Sequence, residues 1–350
     1  MNHNTIVGVD LAKEVIQVCI VKQNKVHSNI EMTQEEFTSW LASNKPVTVV
    51  FEACGMSNYW KQTASRLGHN AKIISAKLVA QIRQNQKTDK NDALAIVQAS
   101  QLTDINFIQG KTLKQQERQS MIRIRDLALK NKVAYSHQLK ALLLEFNLRP
   151  TKKQGGLKGL VERVLEDADN GFSAPFRAVL KAAWTHYEAT IDAVNQFDKS
   201  IEQSVNNEPD CHNLLALESV GPINAVNLYI SIGCGEMGHF KKGRDASACI
   251  GVTPILHSSG GKTKLGSIGK YVKNQSVRKN LISGAMAVVN KLANRDSKTT
   301  KEVWLKGIIE RRGKKCAAVA LANKTVRTAF AMLTQGTEYK AEPLCKNVAL

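Results

Sequence analysis

The first ~110 residues constrain the fold most, because β-type and helix-type hydrophobic runs alternate through them and several β-type runs end in a carboxylate. The opening run, Thr5–Lys13, reads Thr-Ile-Val-Gly-Val-Asp-Leu-Ala-Lys. Its β-branched residues close on Asp10, and Gly8 leaves one side of the backbone open beside it. Val15–Val21 and Lys25–Glu31 continue as two short strands around Lys22-Gln23-Asn24, which predicts an antiparallel meander. Thr33-Gln34-Glu35-Glu36 is a capping box that opens a helix to about Ala42. Val47-Thr48-Val49-Val50-Phe51 is a run of the buried, parallel-strand kind and ends on Glu52. Ser57–Leu67 reads as a helix and Ala71–Ser75 as another strand. Chemistry in α/β sheets sits at such C-terminal strand ends.

Gln86–Ile96 is a polar entry to an apolar-periodic helix, and Asp89 and Asp92, three apart, share one face of it. Acids at a helix N-terminus also serve as caps and dipole partners, so two roles stand for this pair. With Asp10 and Glu52 they make four carboxylates on separate elements. Hard cations such as Mg²⁺ need oxygens converging in this way, and two ions about 4 Å apart can drive phosphodiester attack. A meander with the acid on its first strand, followed by strands alternating with helices, is the layout of ribonuclease-H-like nuclease domains.

The 350 residues carry a formal charge of +19, which attracts a polyanion, so nucleic acid is the expected partner. A 43% hydrophobic content supports buried cores in two or three domains. No apolar run is long enough to span a bilayer, and Met-Asn-His-Asn-Thr lacks the build of a signal peptide; the expected location is the cytoplasm. Seven scattered cysteines, without a Cys-x-x-Cys pair, fit neither a disulfide framework nor a zinc finger.

From Lys114 to about Asn147 apolar residues recur helically at Met121, Ile124, Leu127 or Ala128, Leu139, Leu142, Leu143 and Phe146. Arg149-Pro150 and Gly155–Gly159 break the run. Phe176–Val205 resumes with a stripe of Val179, Ala183, Tyr187, Ile191, Val194, Phe197 and Ile201. A helical hairpin or antiparallel coiled-coil arm is expected, its basic face either a solvated surface or a dimerisation arm with nucleic-acid contacts. Asn206–Pro209 marks a boundary. Leu214–Gly233 then reads as two helices around a Gly221 turn, either a phosphate-binding helix-hairpin-helix or an ordinary packing unit.

Lys241–Asn280 holds nine basic residues against one acid, among them Lys262, Lys264, Lys270, Lys273, Arg278 and Lys279, and predicts a phosphate-binding surface. Gly261-Lys262-Thr263 is not a P-loop, because position 256 is Leu and no strand is expected before it. His257-Ser258-Ser259-Gly260-Gly261-Lys262 suits either a clamp or nucleophile at a DNA phosphate or a plain basic loop. Gly284–Leu292 and Lys301–Leu333 read as helices, and a loose tail follows from Thr334.

Val-Gly-Val-Asp10-Leu-Ala-Lys, Phe-Glu52-Ala, Lys-Thr-Asp89-Lys-Asn-Asp92-Ala and Ile-Gly-Val-Thr-Pro254…His257-Ser-Ser-Gly-Gly-Lys262…Ile268-Gly-Lys together resemble the DEDD transposases of bacterial insertion sequences. That group includes Piv-type invertases and bridge-RNA-guided recombinases. The resemblance implies a RuvC-like α/β domain over 1–110 in which Asp10, Glu52, Asp89 and Asp92 bind Mg²⁺. It further implies a coiled-coil linker over 111–206, a mainly α transposase domain over 207–335 and a tail over 336–350. It implies Ser259 as the nucleophile that joins DNA covalently, with Ser258 and Ser247 as reserves. Its partners would be donor and target DNA, a guide RNA and further copies of the chain, as a dimer or tetramer. A hydrolytic junction nuclease and a non-catalytic DNA-binding module are the competing readings. A tyrosine recombinase is disfavoured, since His-x-x-Arg is absent from the sequence.

Overall fold

The computed structural model describes residues 5–232, 240–269 and 275–344. They form two compact units, one of the residues up to Gln116 together with those of Ile230–Ala246, and one of the residues of Glu117–Tyr229 and from Ser247 onward.

The first unit is a mixed α/β sheet. Strands β1 (Thr5–Leu11), β2 (Ile16–Lys22) and β3 (Lys25–Met32) form the expected antiparallel meander. Gln23 and Asn24 turn between the last two with φ of 49° and 62°, the left-handed pair that a tight hairpin turn needs. Helix α1 (Gln34–Ser43) starts on the capping box: Thr33 Oγ1 accepts from the Glu36 amide at 3.2 Å, and Glu36 accepts from the Thr33 amide at 2.7 Å. Strand β4 (Thr48–Glu52) runs parallel to β1, helix α2 (Ser57–Arg66) crosses over, and β5 (Asn70–Ile74) lies parallel to β4. The sheet order is β3-β2-β1-β4-β5, followed by helices α3 (Ala76–Ile82) and α4 (Asp89–Ser100).

Alternation along the strands divides the sheet's side chains between two covers. Val7, Val9, Ile16 and Val18 pack with Phe37, Phe51 and Trp60 on one face. On the other, Cys19 and Val21 meet Ala93 and Val97 of α4. Gly8 and Asp10 share this α4 face. Strand β2 is therefore buried on both sides from Ile16 to Val21.

The second unit is mainly helical. Helix α5 (Leu113–Glu145) begins in the first unit, and α7 (Ala174–Asn206) returns antiparallel to it. Arg118 Nε donates to Ser204 Oγ at 3.1 Å, Arg125 Nε to Asp198 at 2.8 Å, and the Tyr135 and His186 rings lie 4.7 Å apart. Leu139 and Leu143 share a core with Leu180 and Trp184. Each contact moves down one helix as it moves up the other, which defines a helical hairpin within one chain.

Two expectations fail in this hairpin. The glycine-rich stretch after Pro150 does more than break a helix: it forms a 3₁₀ turn over Lys152–Gln154 and then α6 (Gly156–Glu166), whose Leu160, Val161 and Val164 complete the core. The apolar stripes hold only in part. Tyr187, Val194 and Ile201 of α7 and Leu139 and Leu143 of α5 are buried as expected, but Leu180 and Trp184 are buried where Val179 is 68% exposed, and Ile122 is buried where Leu127 is 59% exposed. Apolar spacing locates a helix but not the side its neighbour takes, and here α6 takes a side that a two-helix arm would leave open.

Helix α8 (Pro209–Asn213), a 3₁₀ turn (Leu214–Ala216) and α9 (Pro222–Ile232) follow, so the first arm of the expected helix-hairpin-helix is one short turn of helix. After α10 (Gly243–Ile250), strands β6 (Pro254–Ser259) and β7 (Lys262–Ile268) make an antiparallel hairpin where the sequence promised only a loop. Helices α11 (Gln275–Leu292) and α12 (Thr300–Gln335) pack together, the latter kinked at Gly313 with φ of 80°. The segment after α12 is tied down rather than loose. Tyr339 donates to Glu218 at 2.7 Å, Lys301 donates to the other Glu218 oxygen at 2.6 Å, and the Leu344 amide reaches the Lys298 carbonyl at 3.1 Å. No described helix is long and apolar enough to cross a membrane.

Candidate metal centre and serine hairpin

Asp10 and Glu52 meet because β1 and β4 are parallel and in register. Val9 pairs with Phe51, so the next step along both strands brings the two carboxylates side by side at the C-terminal edge. Helix α4 brings the other two acids. Asp89 is its first residue, and Asp92, in its first turn, is buried. Thr88 caps the helix by accepting from the Asn91 amide at 3.3 Å.

Two devices seat α4 against the sheet. A Cβ on Gly8 would collide with the Ala93 carbonyl and come within 2.7 Å of Val97 Cγ2, so only glycine lets the helix lie directly on β1. At the helix start, Asn29 Nδ2 donates to the Lys90 carbonyl at 2.9 Å, and Gln17 Nε2 donates to Asn29 Oδ1 at 2.7 Å. Gln17 and Asn29 were not legible as site residues. The only signal was a glutamine inside an otherwise apolar strand.

The electrostatics record the convergence. Burial pushes the Asp10 carboxyl above its ordinary value, and the negative charges of Asp92 and Asp89 add to it; the Leu11 amide and Lys87 pull back less strongly. Burial likewise raises Glu52, reinforced by Asp10 and Asp92 against Lys87 and Arg83. Asp10 and Glu52 thus each feel the neighbouring acids' charge. Arg83 Nη1 meets Asp92 Oδ1 at 2.7 Å and is the one cation in direct contact with the group among the described residues.

Among the described residues no three His, Cys, Asp or Glu side chains close into a ready ligand cage. The donor chemistry nevertheless fits a hard divalent ion. The donors are all carboxylate oxygens, mutually repelling, and Gln17, the register partner of Asp10, has a buried Oε1 without a hydrogen-bond partner among the described residues. Positive charge placed there would relieve both conditions.

The serine motif has its own geometry in the second unit. Gly260 and Gly261, with φ of 55° and 76°, form the tight turn of the β6–β7 hairpin. Ser259 pairs with Lys262 and His257 with Lys264, so these four side chains share one face; Ser258 pairs with Thr263 and Leu256 with Leu265 on the other. Ser258 and Ser259 are both exposed, whereas Ser247 is fully buried in α10, out of reach of a DNA phosphate. A strand does precede Gly-Lys-Thr, contrary to expectation. It returns as a hairpin instead of opening a helix, so no P-loop forms.

The other basic residues separate by role. Lys262, Lys264 and Lys279 are exposed. Arg278 is used internally: its Nε donates to the Gly251 carbonyl at 3.0 Å, its Nη2 lies 3.4 Å from the Ile268 carbonyl, and it fills the space beside Gly269. Gly221 directly precedes α9 with open space around it. Lys270 and Lys273 lie outside the described residues.

Carboxylates gathered on a mixed sheet, with a basic serine hairpin elsewhere in the chain, define a protein that handles nucleic acid. Residues 7–148 match the family model of DEDD transposases of the IS110 type, described as a transposase, and residues 211–301 match that of the "Transposase IS116/IS110/IS902 family". The chain belongs to this family of insertion-sequence transposases, enzymes that cleave DNA and transfer its strands. It is 34% identical over 344 residues to the transposase for insertion sequence element IS1111A of Coxiella burnetii, covering 97% of this chain and 92% of that protein. It is 31% identical to a probable family 20 transposase of Pseudomonas aeruginosa, over 95% of this chain and 98% of that one. To the transposase for insertion sequence element IS1328 of Yersinia enterocolitica it is 26% identical, over 97% and 99%.

Proposed function

We propose that this transposase exchanges DNA strands in two chemical parts, a Mg²⁺ centre on Asp10, Glu52, Asp89 and Asp92 and a nucleophile on Ser259. The observation that carries the reading is the meeting of Asp10 and Glu52 at the C-terminal edge of parallel β1 and β4 with Asp89 and Asp92 in the first turn of α4, a repulsion that also raises Asp10 and Glu52 and that a divalent ion would offset. The ribonuclease-H-like reading of the first unit rests on the meander followed by parallel strands, with its acids at the strand ends. When bound, the metal supplies Lewis-acid stabilisation of the charge that develops on phosphorus.

In the proposed step Ser259 Oγ loses its proton and bonds to a DNA phosphorus. The bond from that phosphorus to the adjoining strand's oxygen breaks, and the departing oxygen takes up a proton. A strand-end hydroxyl of the second duplex then displaces Ser259, which regains its proton, so the phosphodiester count is conserved. Lys262 and Lys264, on the face of Ser259, hold the phosphate. Lys279 extends this basic surface, with Lys270, Lys273 and the Gly221 turn proposed as further phosphate contacts. The charge of +19 supports contacts beyond a single duplex, and the family resemblance names them as a guide RNA. The same resemblance puts the reaction in an oligomer in which one copy's serine serves another copy's metal centre.

Recombination assays with Asp10→Asn and Ser259→Ala test the reading. Each should abolish strand exchange while DNA and RNA binding persists, and a protein–DNA adduct in denaturing gels should vanish with Ser259→Ala. Metal-dependent cutting that survives Ser259→Ala, with no adduct, would instead establish hydrolysis by the carboxylates alone.

A further inference from the structure

The hydrogen-bond relay from β2 to α4 fixes the direction of an amide that the metal reading does not use. The Lys90 carbonyl can only accept, so Asn29 must turn its NH₂ toward it at 2.9 Å. That leaves Asn29 Oδ1 facing Gln17, which must in turn present its own NH₂, at 2.7 Å. Gln17 Oε1 is therefore left over. Gln17 is only 2% exposed, and this oxygen is buried without a donor.

Its place in the sheet says what donor it awaits. Gln17 stands directly opposite Asp10 in the β1–β2 register, and such pairs share a face with Cβ atoms about 4.5–5.5 Å apart. The face is the one that α4 covers with Asp89 and Asp92. Asp10 accepts from the Leu11 amide, the neighbouring acids are acceptors too, and among the described residues this oxygen meets no donor. A buried neutral acceptor with its amide orientation locked, on the strand pair that carries Asp10, suits a water molecule bound to a cation, because that water has two acidic protons to donate.

We infer that Gln17 is a further positioning residue of the metal centre, its Oε1 accepting a hydrogen bond from a water on the divalent ion while its NH₂ holds the start of α4 through Asn29. This rests on the metal-centre reading above. A polar partner of this kind typically changes metal affinity by about 10-fold when removed.

Mn²⁺ binding to the full-length protein, followed by loss of the free-ion electron paramagnetic resonance signal, separates the possibilities. Gln17→Met removes donor and acceptor and should weaken Mn²⁺ binding about 10-fold. Gln17→Glu keeps an acceptor oxygen but cannot donate to Asn29, and should bind Mn²⁺ at least as tightly as the native chain. If Gln17→Met binds normally, Gln17 has no part in metal binding, and if Gln17→Glu is as weak as Gln17→Met, Gln17 acts through the relay alone; either result overturns the inference. Asp10→Asn serves as the reference: its loss of Mn²⁺ binding upholds the metal reading independently of Gln17, and normal binding by Asp10→Asn would overturn both. Circular dichroism of each variant reports whether it is folded, and a Gln17→Glu chain that folds keeps the comparison decisive even where Gln17→Met does not.

Discussion

Glu52 sits one register step beyond the Val9–Phe51 pair, beside Asp10, and the charge of Asp10 helps burial hold the Glu52 carboxyl above its ordinary range. Two carboxylates so placed destabilise the sheet edge they stand on. Such a cost is what a chain tolerates at a site built to receive a cation.

Removing one of them should stabilise the metal-free protein. Both pKa values are raised, so the folded chain holds more protons than the unfolded one between the ordinary carboxylate values, 3.8 and 4.5, and the raised ones. Stability therefore falls as pH rises through that window. Thermal melts in chelator should show Asp10→Asn above the native chain at neutral pH, with the gap closing as the pH drops below the window. Added Mg²⁺ should raise the native midpoint and leave that of Asp10→Asn unmoved.

Gly8→Ala tests the seat of α4. The added methyl would strike the Ala93 carbonyl and crowd Val97, costing about 1–3 kcal/mol by overpacking. Urea titration measures that loss. Because the shift would carry Asp89 and Asp92 away from Asp10, strand cleavage should fall at temperatures where the variant is still folded.

Arg83→Ala removes the partner of a buried carboxylate. Arg83 and Asp92 meet at 2.7 Å with side chains 22% and 9% exposed, so the variant should lose about 1.5–3 kcal/mol in chemical denaturation. Adding Mg²⁺ should recover more stability in Arg83→Ala than in the native chain, because the ion then replaces the missing guanidinium.

The two hairpin serines should separate cleanly. Ser259 shares a face with Lys262 and Lys264, while Ser258 points with Thr263 and Leu256. Ser259→Ala should reduce adduct formation to background and Ser258→Ala should leave it nearly intact. Both side chains are exposed, so neither variant should move the melting temperature.

Tyr339→Phe tests the clamp on the C-terminal segment. Burial raises the Glu218 carboxyl, but hydrogen bonds from Lys301 and Tyr339 outweigh it and hold the group below its ordinary value. Losing the tyrosine hydroxyl should cost about 1 kcal/mol and expose the segment after α12 to limited proteolysis.

Much of the first unit was written locally. The Thr33 capping box, the β-branched runs and the acids that close them depend on residues a few positions apart, and the structure places those elements where the spacing did. The arm was legible as helices and only in part as faces, with Val194 and Ile201 buried as expected but Val179 exposed. Which side of α7 is buried depends on α6, a helix whose glycine-rich start reads locally as a breaker.

By itself, then, the sequence determined the residue types at the centre and the strand and helix ends that carry them, because backbone period and capping are short-range effects. Only the tertiary structure decided that Asp10 stands between Glu52 and Gln17, that Arg83 meets Asp92, and that Arg278 turns inward while Ser259 and Lys262 share a face. Those relations are set by sheet register and long-range packing. Residues dozens of positions apart acquire them only when the chain closes on itself, and no local pattern encodes which oxygen will be left without a partner.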